Sequence, residues 1–89
     1  MIFIKSEVTS GVPEYEICRI TFELDDRQWV ATFRVYSRDA KYRGATTLVL
    51  KSTVDVLDGE VRTLNPTEEE WVVKAATRKI EGEADFRSW

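Results

Sequence analysis

Residues 34–44, RVYSRDAKYRG, carry four cations, Arg34, Arg38, Lys41 and Arg43, against one acid, Asp39. Tyr36 and Tyr42 are interleaved with them. Cations that neutralise phosphates, beside rings on which bases stack, are the parts of a single-strand nucleic-acid grip. Such a grip would use Arg34, Tyr36, Arg38, Lys41, Tyr42 and Arg43. The same segment also fits a plain connection between strands, where charge keeps a loop in water. The whole chain favours the plainer reading. Its 13 Lys and Arg face 16 Asp and Glu, a net charge of −3, whereas nucleic-acid binders usually carry a basic excess.

Other chemistry is bounded by what is missing. There is no histidine, which removes the usual general base and commonest metal ligand. The single cysteine, Cys18, excludes a disulfide within these residues and a thiolate zinc site. Glu68, Glu69 and Glu70 are consecutive, so on a helix they point about 100° apart and cannot chelate together. Asp55, Asp58 and Glu60 lack the alternating ligand spacing of a calcium loop. The sequence therefore implies no cofactor and no metal. A small carboxylate-dependent enzyme is the catalytic reading left, and it has no paired acid and base to support it.

The elements that would position these residues follow from periodicity. Residues 1–8 read as a strand, and SGVPE at 10–14 as a turn. YEICRITFEL, 15–24, alternates strictly, with Cys18, Ile20, Phe22 and Leu24 on one face. WVATFRVY, 29–36, does the same with Trp29, Ala31, Phe33 and Val35. A four-residue connection at 25–28 would pair Leu24 with Trp29 and Phe22 with Ala31. Residues 46–57 fit either a strand with Leu48, Leu50, Val54 and Val56 on one face or a helix with Leu50, Val54, Leu57 and Val61 in line. Length favours the helix, and the Thr and Val content favours the strand, which is the preferred reading. Asp58-Gly59 would then turn the chain so that Val56 meets Val61. A helix should start at Thr67, with Glu70 closing a capping box and Pro66 stapling Trp71, and stop at Gly82. Its buried stripe would be Val72, Val73, Ala76 and Ile80.

The expected fold is α+β: a small, mainly antiparallel sheet of four or five strands with one C-terminal helix packed on one face. Residues 1–82 would form one domain, followed by an acidic, aromatic tail at 83–89. One helix covers one face of a sheet. The other face would carry Tyr15, Ile17, Val30, Arg34 and Tyr36, a set rich in the residue types that interfaces favour. Trp71 and Arg78 would lie at the helix border. Cys18 should be an inert core thiol. The apolar start, MIFI, is too short for a signal peptide, and no run approaches the ~20 apolar residues of a membrane span. The expected setting is cytoplasmic.

These features point to a non-catalytic module that binds a larger protein through Tyr15, Ile17, Val30, Arg34, Tyr36, Trp71 and Arg78. Its size and acidity suit a regulator or inhibitor of the kind mobile elements encode, docking on a nucleic-acid-handling machine. The alternative is nucleic-acid binding through 34–43. A homo-oligomer is compatible with either.

Overall fold

The computed structural model describes residues 1–37 and 46–85. Four strands form one antiparallel sheet in the order β1-β2-β3-β4. They are β1 (Ile2–Val12), β2 (Tyr15–Leu24), β3 (Arg27–Ser37) and β4 (Thr46–Asp55), followed by helix α1 (Pro66–Asp85). The α+β expectation holds. Residues 46–55 are strand, and α1 accounts for 20 of the 89 residues.

The β2–β3 hairpin keeps its expected faces but has a different register. Asp25 and Asp26 both adopt left-handed φ, 55° and 60°. That is the signature of a two-residue type I′ turn, whose twist matches the strands it joins. Leu24 therefore pairs with Arg27, Phe22 with Trp29, Ile20 with Ala31 and Cys18 with Phe33. The slip from the four-residue expectation moves each partner by two, so every core residue still faces the core. Cys18, Ile20, Phe22, Trp29, Ala31, Phe33 and Val35 are all buried.

Strand β4 departs more. The pairing shifts between Thr32 and Phe33, where one residue of β4 is left over. Such a bulge reverses the alternation beyond it. Leu48 and Leu50 stay opposite core residues Val35 and Phe33, but Thr53 and Asp55 then lie opposite Ala31 and Trp29. Val54, expected inside, pairs with Val30 on the other face. The return bridge is Val54 with Val61, not Val56 with Val61. Val56 belongs to the turn and is exposed.

The helix also starts elsewhere than expected. Asn65 Oδ1 accepts from Glu68 N at 2.8 Å, and Glu68 Oε1 accepts from Asn65 N at 3.0 Å. This reciprocal pair is the capping box, with Pro66 at the first helical position. Proline there gives up no needed donor and has the right φ, which makes Asn65 the cap and leaves Thr67 exposed in the first turn. Gly82 does not stop the helix, which runs to Asp85. Replacing Asn65 by Ala should cost about 1 kcal/mol in a thermal or urea melt. Thr67→Ala should stay within about 0.5 kcal/mol. A loss at Thr67 larger than that at Asn65 would place the cap at Thr67 instead.

Helix α1 lays Val72 and Ala76 on the core, with Trp71, Val73, Ala75 and Ile80 partly buried beside them. Cys18 lies beneath, fully buried. Burial pushes its thiol up from 9.0 to about 11, against a smaller downward pull from Lys79. Because the folded value is raised, Cys18 favours the folded state below pH 9, and that contribution is lost as pH rises beyond it. Native protein should resist thiol reagents and react on denaturation. Cys18→Ser should destabilise by roughly 1–3 kcal/mol, by burying a hydroxyl with no assured partner. Rapid labelling of the native thiol would contradict this packing.

Candidate functional site

The sheet face opposite α1 is the first candidate. In the observed register Ile17 and Arg19 of β2 pair with Arg34 and Thr32 of β3 on this face, and the Tyr15 and Tyr36 rings lie beside one another. Arg34 also pairs with Val49 of β4, and Val30 with Val54. The Arg34 guanidinium lies 4.6 Å from the centre of the Tyr15 ring. Its Nη1 donates to Tyr36 Oη at a long 3.4 Å. The two tyrosine rings are 5.5 Å apart and tilted by 57°. Hydrogen bonding to Tyr36 holds the guanidinium above its ordinary pKa, despite some loss of water. Tyr15, Ile17, Val30, Arg34 and Tyr36 are each half-buried. Among the described residues Arg34 is engaged by two tyrosines and by no carboxylate. The result is a fixed cation in a collar of Tyr15, Ile17, Tyr36 and Val49.

The other expected binding residues lie elsewhere. Trp71 is on the helix side of the sheet, its ring 5.7 Å from Phe22, half-buried against the core. Arg78 is exposed on α1. Neither joins the Tyr15–Arg34–Tyr36 group. Arg38, Lys41, Tyr42 and Arg43 lie outside the described residues, as do Phe86 and Trp89 of the tail.

A second constellation, at the end of the sheet near the β2–β3 turn, has no counterpart among the sequence expectations. Trp29 is buried there and donates its indole N–H to Leu24 O at 3.0 Å. Two guanidiniums lie over its ring, Arg27 at 4.8 Å and Arg62 at 5.2 Å. Arg27 Nε donates to Asp55 Oδ2 at 2.7 Å, and its Nη2 reaches Asp58 and Glu60 at 3.1 and 3.0 Å. Arg62 bridges Asp25 of the hairpin turn and Glu68 of the capping box at 3.0 and 3.2 Å. Asp55 Oδ1 also accepts from Leu57 N and Asp58 N, at 2.7 and 3.0 Å. Gly59 completes the turn with φ 73°, a value that suits glycine, and its N–H donates to Asp55 O at 3.0 Å. These backbone donors, helped by Arg27, hold the Asp55 carboxyl below its usual range although burial opposes them.

The carboxylates of this second group are paired within it, while Arg62 Nε is buried without a hydrogen-bond partner among the described residues. Asp55, Asp58 and Glu60, the three carboxylates weighed above against a calcium loop, are all engaged by Arg27. Among the described residues no three potential metal ligands converge. A recess of about 400 Å³ beside it is lined by Glu23, Asp26, Arg27, Asp55, Leu57 and Asp58 among others, and no nucleophile with a partnered base enters it. The charged group ties the 55–60 turn, the β2–β3 turn and the helix start to one another. Charge alternation in sequence carries no sign of it, because Arg27 and Arg62 find their acids at separations of 28 to 37 residues, apart from the local Glu68. Among the described residues no helix is long and apolar enough to cross a membrane. No protein-family model, curated protein or solved structure matches the chain, so the two sites are read from their own geometry.

Proposed function

We propose that this protein is a non-catalytic binding module that docks on a larger protein through the sheet face opposite its helix. Arg34, held between Tyr15 and Tyr36, is the anchor, and the partner presents a carboxylate within an apolar surround. One observation carries this reading. A cation engaged by two tyrosines, with no intramolecular acid among the described residues, sits on the sheet face opposite α1. Tyrosine and arginine in such a setting are the residue types that dominate binding energy. Their half-burial pre-organises them, which lowers the ordering cost of association. A carboxylate entering the collar would make a charge-assisted bond in a partly dry site. The basic residues Arg38, Lys41 and Arg43 follow β3 directly in sequence and favour the same sign of partner. The regulator or inhibitor role belongs to this proposal: such a module would act by occupying the partner surface that presents this carboxylate.

The test is affinity capture from nuclease-treated lysate, followed by binding measurements on the captured protein. Tyr36→Ala should weaken the complex by about 2 kcal/mol or more, with a smaller change in thermal stability. Arg34→Glu should abolish it. A complex lost on nuclease treatment, weakened together by charge reversal at Arg38, Lys41 and Arg43, would instead establish the nucleic-acid reading. Wild-type binding by both Tyr36→Ala and Arg34→Glu would remove this face as the interface.

A further inference from the structure

The geometry points to a second interaction surface, on a different part of the molecule: the open edge of β1 is a self-complementary seam that joins two copies of this chain into a closed dimer. β1 is the outermost strand on its side of the sheet, 11 residues long and without proline. An edge strand presents a row of unpaired backbone N–H and C=O groups, and folds that stay monomeric usually blunt it. The opposite edge is blunted in this way at its C-terminal end. Residues 60–62 pair back on β4 through Val54–Val61, Asp55 N to Glu60 O and Arg62 N to Thr53 O, both bonds at 2.9 Å. β1 has irregularities at Ile4 and between Ser10 and Val12, and its regular stretch between them, Lys5–Ser10, is left with no strand on its outer side among the described residues. Its start instead leaves Ile2, Phe3 and Ile4 at 60%, 49% and 41% exposed.

Charge selects the occupant and the register. Lys5 and Glu7 are exposed, and among the described residues neither forms an ion pair. They stand symmetrically about Ser6. A two-fold axis perpendicular to the sheet keeps both helices on one side and lies midway between one residue of β1 and its own copy. An axis at Lys5 would set two lysines opposite each other, and one at Glu7 two glutamates. An axis at Ser6 sets Lys5 of each copy against Glu7 of the other, within the regular stretch Lys5–Ser10. Opposite charges directly across an antiparallel pair stabilise it, and like charges disfavour it. Glu7 already faces Arg19 across β2, so in the dimer it would lie between two cations. The pairing is isologous, which closes the assembly at two copies.

Sedimentation or light scattering across about 1 µM to 1 mM protein tests this, a span that brackets weak to moderate dimers. A reversible monomer–dimer equilibrium is expected, with no larger species. Lys5→Glu and Glu7→Lys should each raise the dimer dissociation constant about tenfold or more, since symmetry applies each reversal twice. The combined Lys5→Glu, Glu7→Lys protein should recover to within about threefold of wild type, because the pair is restored with its sign exchanged. Hydrogen exchange should show amides of residues 4–8 gaining protection as concentration rises, with the rest of the sheet unchanged. A monomer at all concentrations, larger assemblies, or a double variant no better than the single ones would overturn the seam. The readout is independent of the Tyr15–Arg34–Tyr36 face, so the two can fail separately.

Discussion

Trp29→Ala should destabilise the protein by about 3–5 kcal/mol, the range for truncating a fully buried large aromatic. Native domains are stable by only about 5–15 kcal/mol in total, so this variant should lose a large share of its stability. Three losses combine. The ring leaves a void in the core beside Phe22, its partner across the β2–β3 pair. Leu24 O loses the indole donor. Arg27 and Arg62 lose the ring on which both guanidiniums rest, and those two cations hold the 55–60 turn and the helix start. Trp29→Phe keeps an aromatic face and most of the packing but loses the indole bond, and should cost roughly 1–2 kcal/mol. Urea unfolding followed by far-UV circular dichroism separates the two. A Trp29→Ala loss below about 1 kcal/mol would show that the end of the sheet does not depend on this residue.

The same residue illustrates what the sequence discloses. Strict alternation in 15–24 and 29–36 reveals the faces of β2 and β3, because side-chain direction in a strand has period two. Register is a weaker inference, since it depends on turn geometry. Asp25 and Asp26 both take left-handed φ, a conformation that aspartate tolerates but does not announce. The β4 bulge is harder still. Thr53 and Asp55 look like the wet side of an alternating strand, yet both are buried. Burial of Asp55 makes sense only with Arg27 placed across the sheet, a tertiary fact with no local signature. The helix start is legible in kind, with a cap followed three residues on by a glutamate. Two overlapping boxes fit that pattern, and the preference of proline for the first helical position decides between them.

The outer face is readable for the same reason as the hairpin. Tyr15, Ile17, Val30, Arg34 and Tyr36 fall on the alternating positions that the core does not use, and any two-residue slip preserves that set. Which of them touch is not readable. The contact of Arg34 with Tyr15 depends on the diagonal between neighbouring strands, and so on the register. Helical periodicity alone places Trp71 at a border. Its packing on Phe22 reflects how α1 crosses the sheet, which periodicity does not specify.

Loss of the Asp55 carboxylate should be the second large effect, and it should depend on pH. Its side chain is 3% exposed, accepts from Leu57 N, Asp58 N and Arg27, and is held below the ordinary carboxylate range by those partners. A group whose folded pKa is depressed stabilises the fold above its unfolded value, and that contribution fades as pH falls through the folded value. The window therefore opens near the ordinary aspartate value, 3.8, and extends below it. Wild-type protein should lose thermal stability steeply across this acid range. Asp55→Ala should lower the melting temperature at pH 7 by roughly 10 °C or more, a large shift for a domain of this size. It strands two turn amides and the Nε of Arg27 in a partly dry site, which is how breaking a buried pair becomes costly. Asp55→Asn keeps the shape and one acceptor oxygen, so it should lose less. Its melting temperature should also be flatter against pH below about 4 than that of the wild type, because the titrating group has gone. Differential scanning calorimetry from about pH 2.5 to 7 measures both, a span that covers the loss of the carboxylate charge. Parallel acid limbs for wild type and Asp55→Asn would mean that other carboxylates govern the transition and that Asp55 contributes only through its shape.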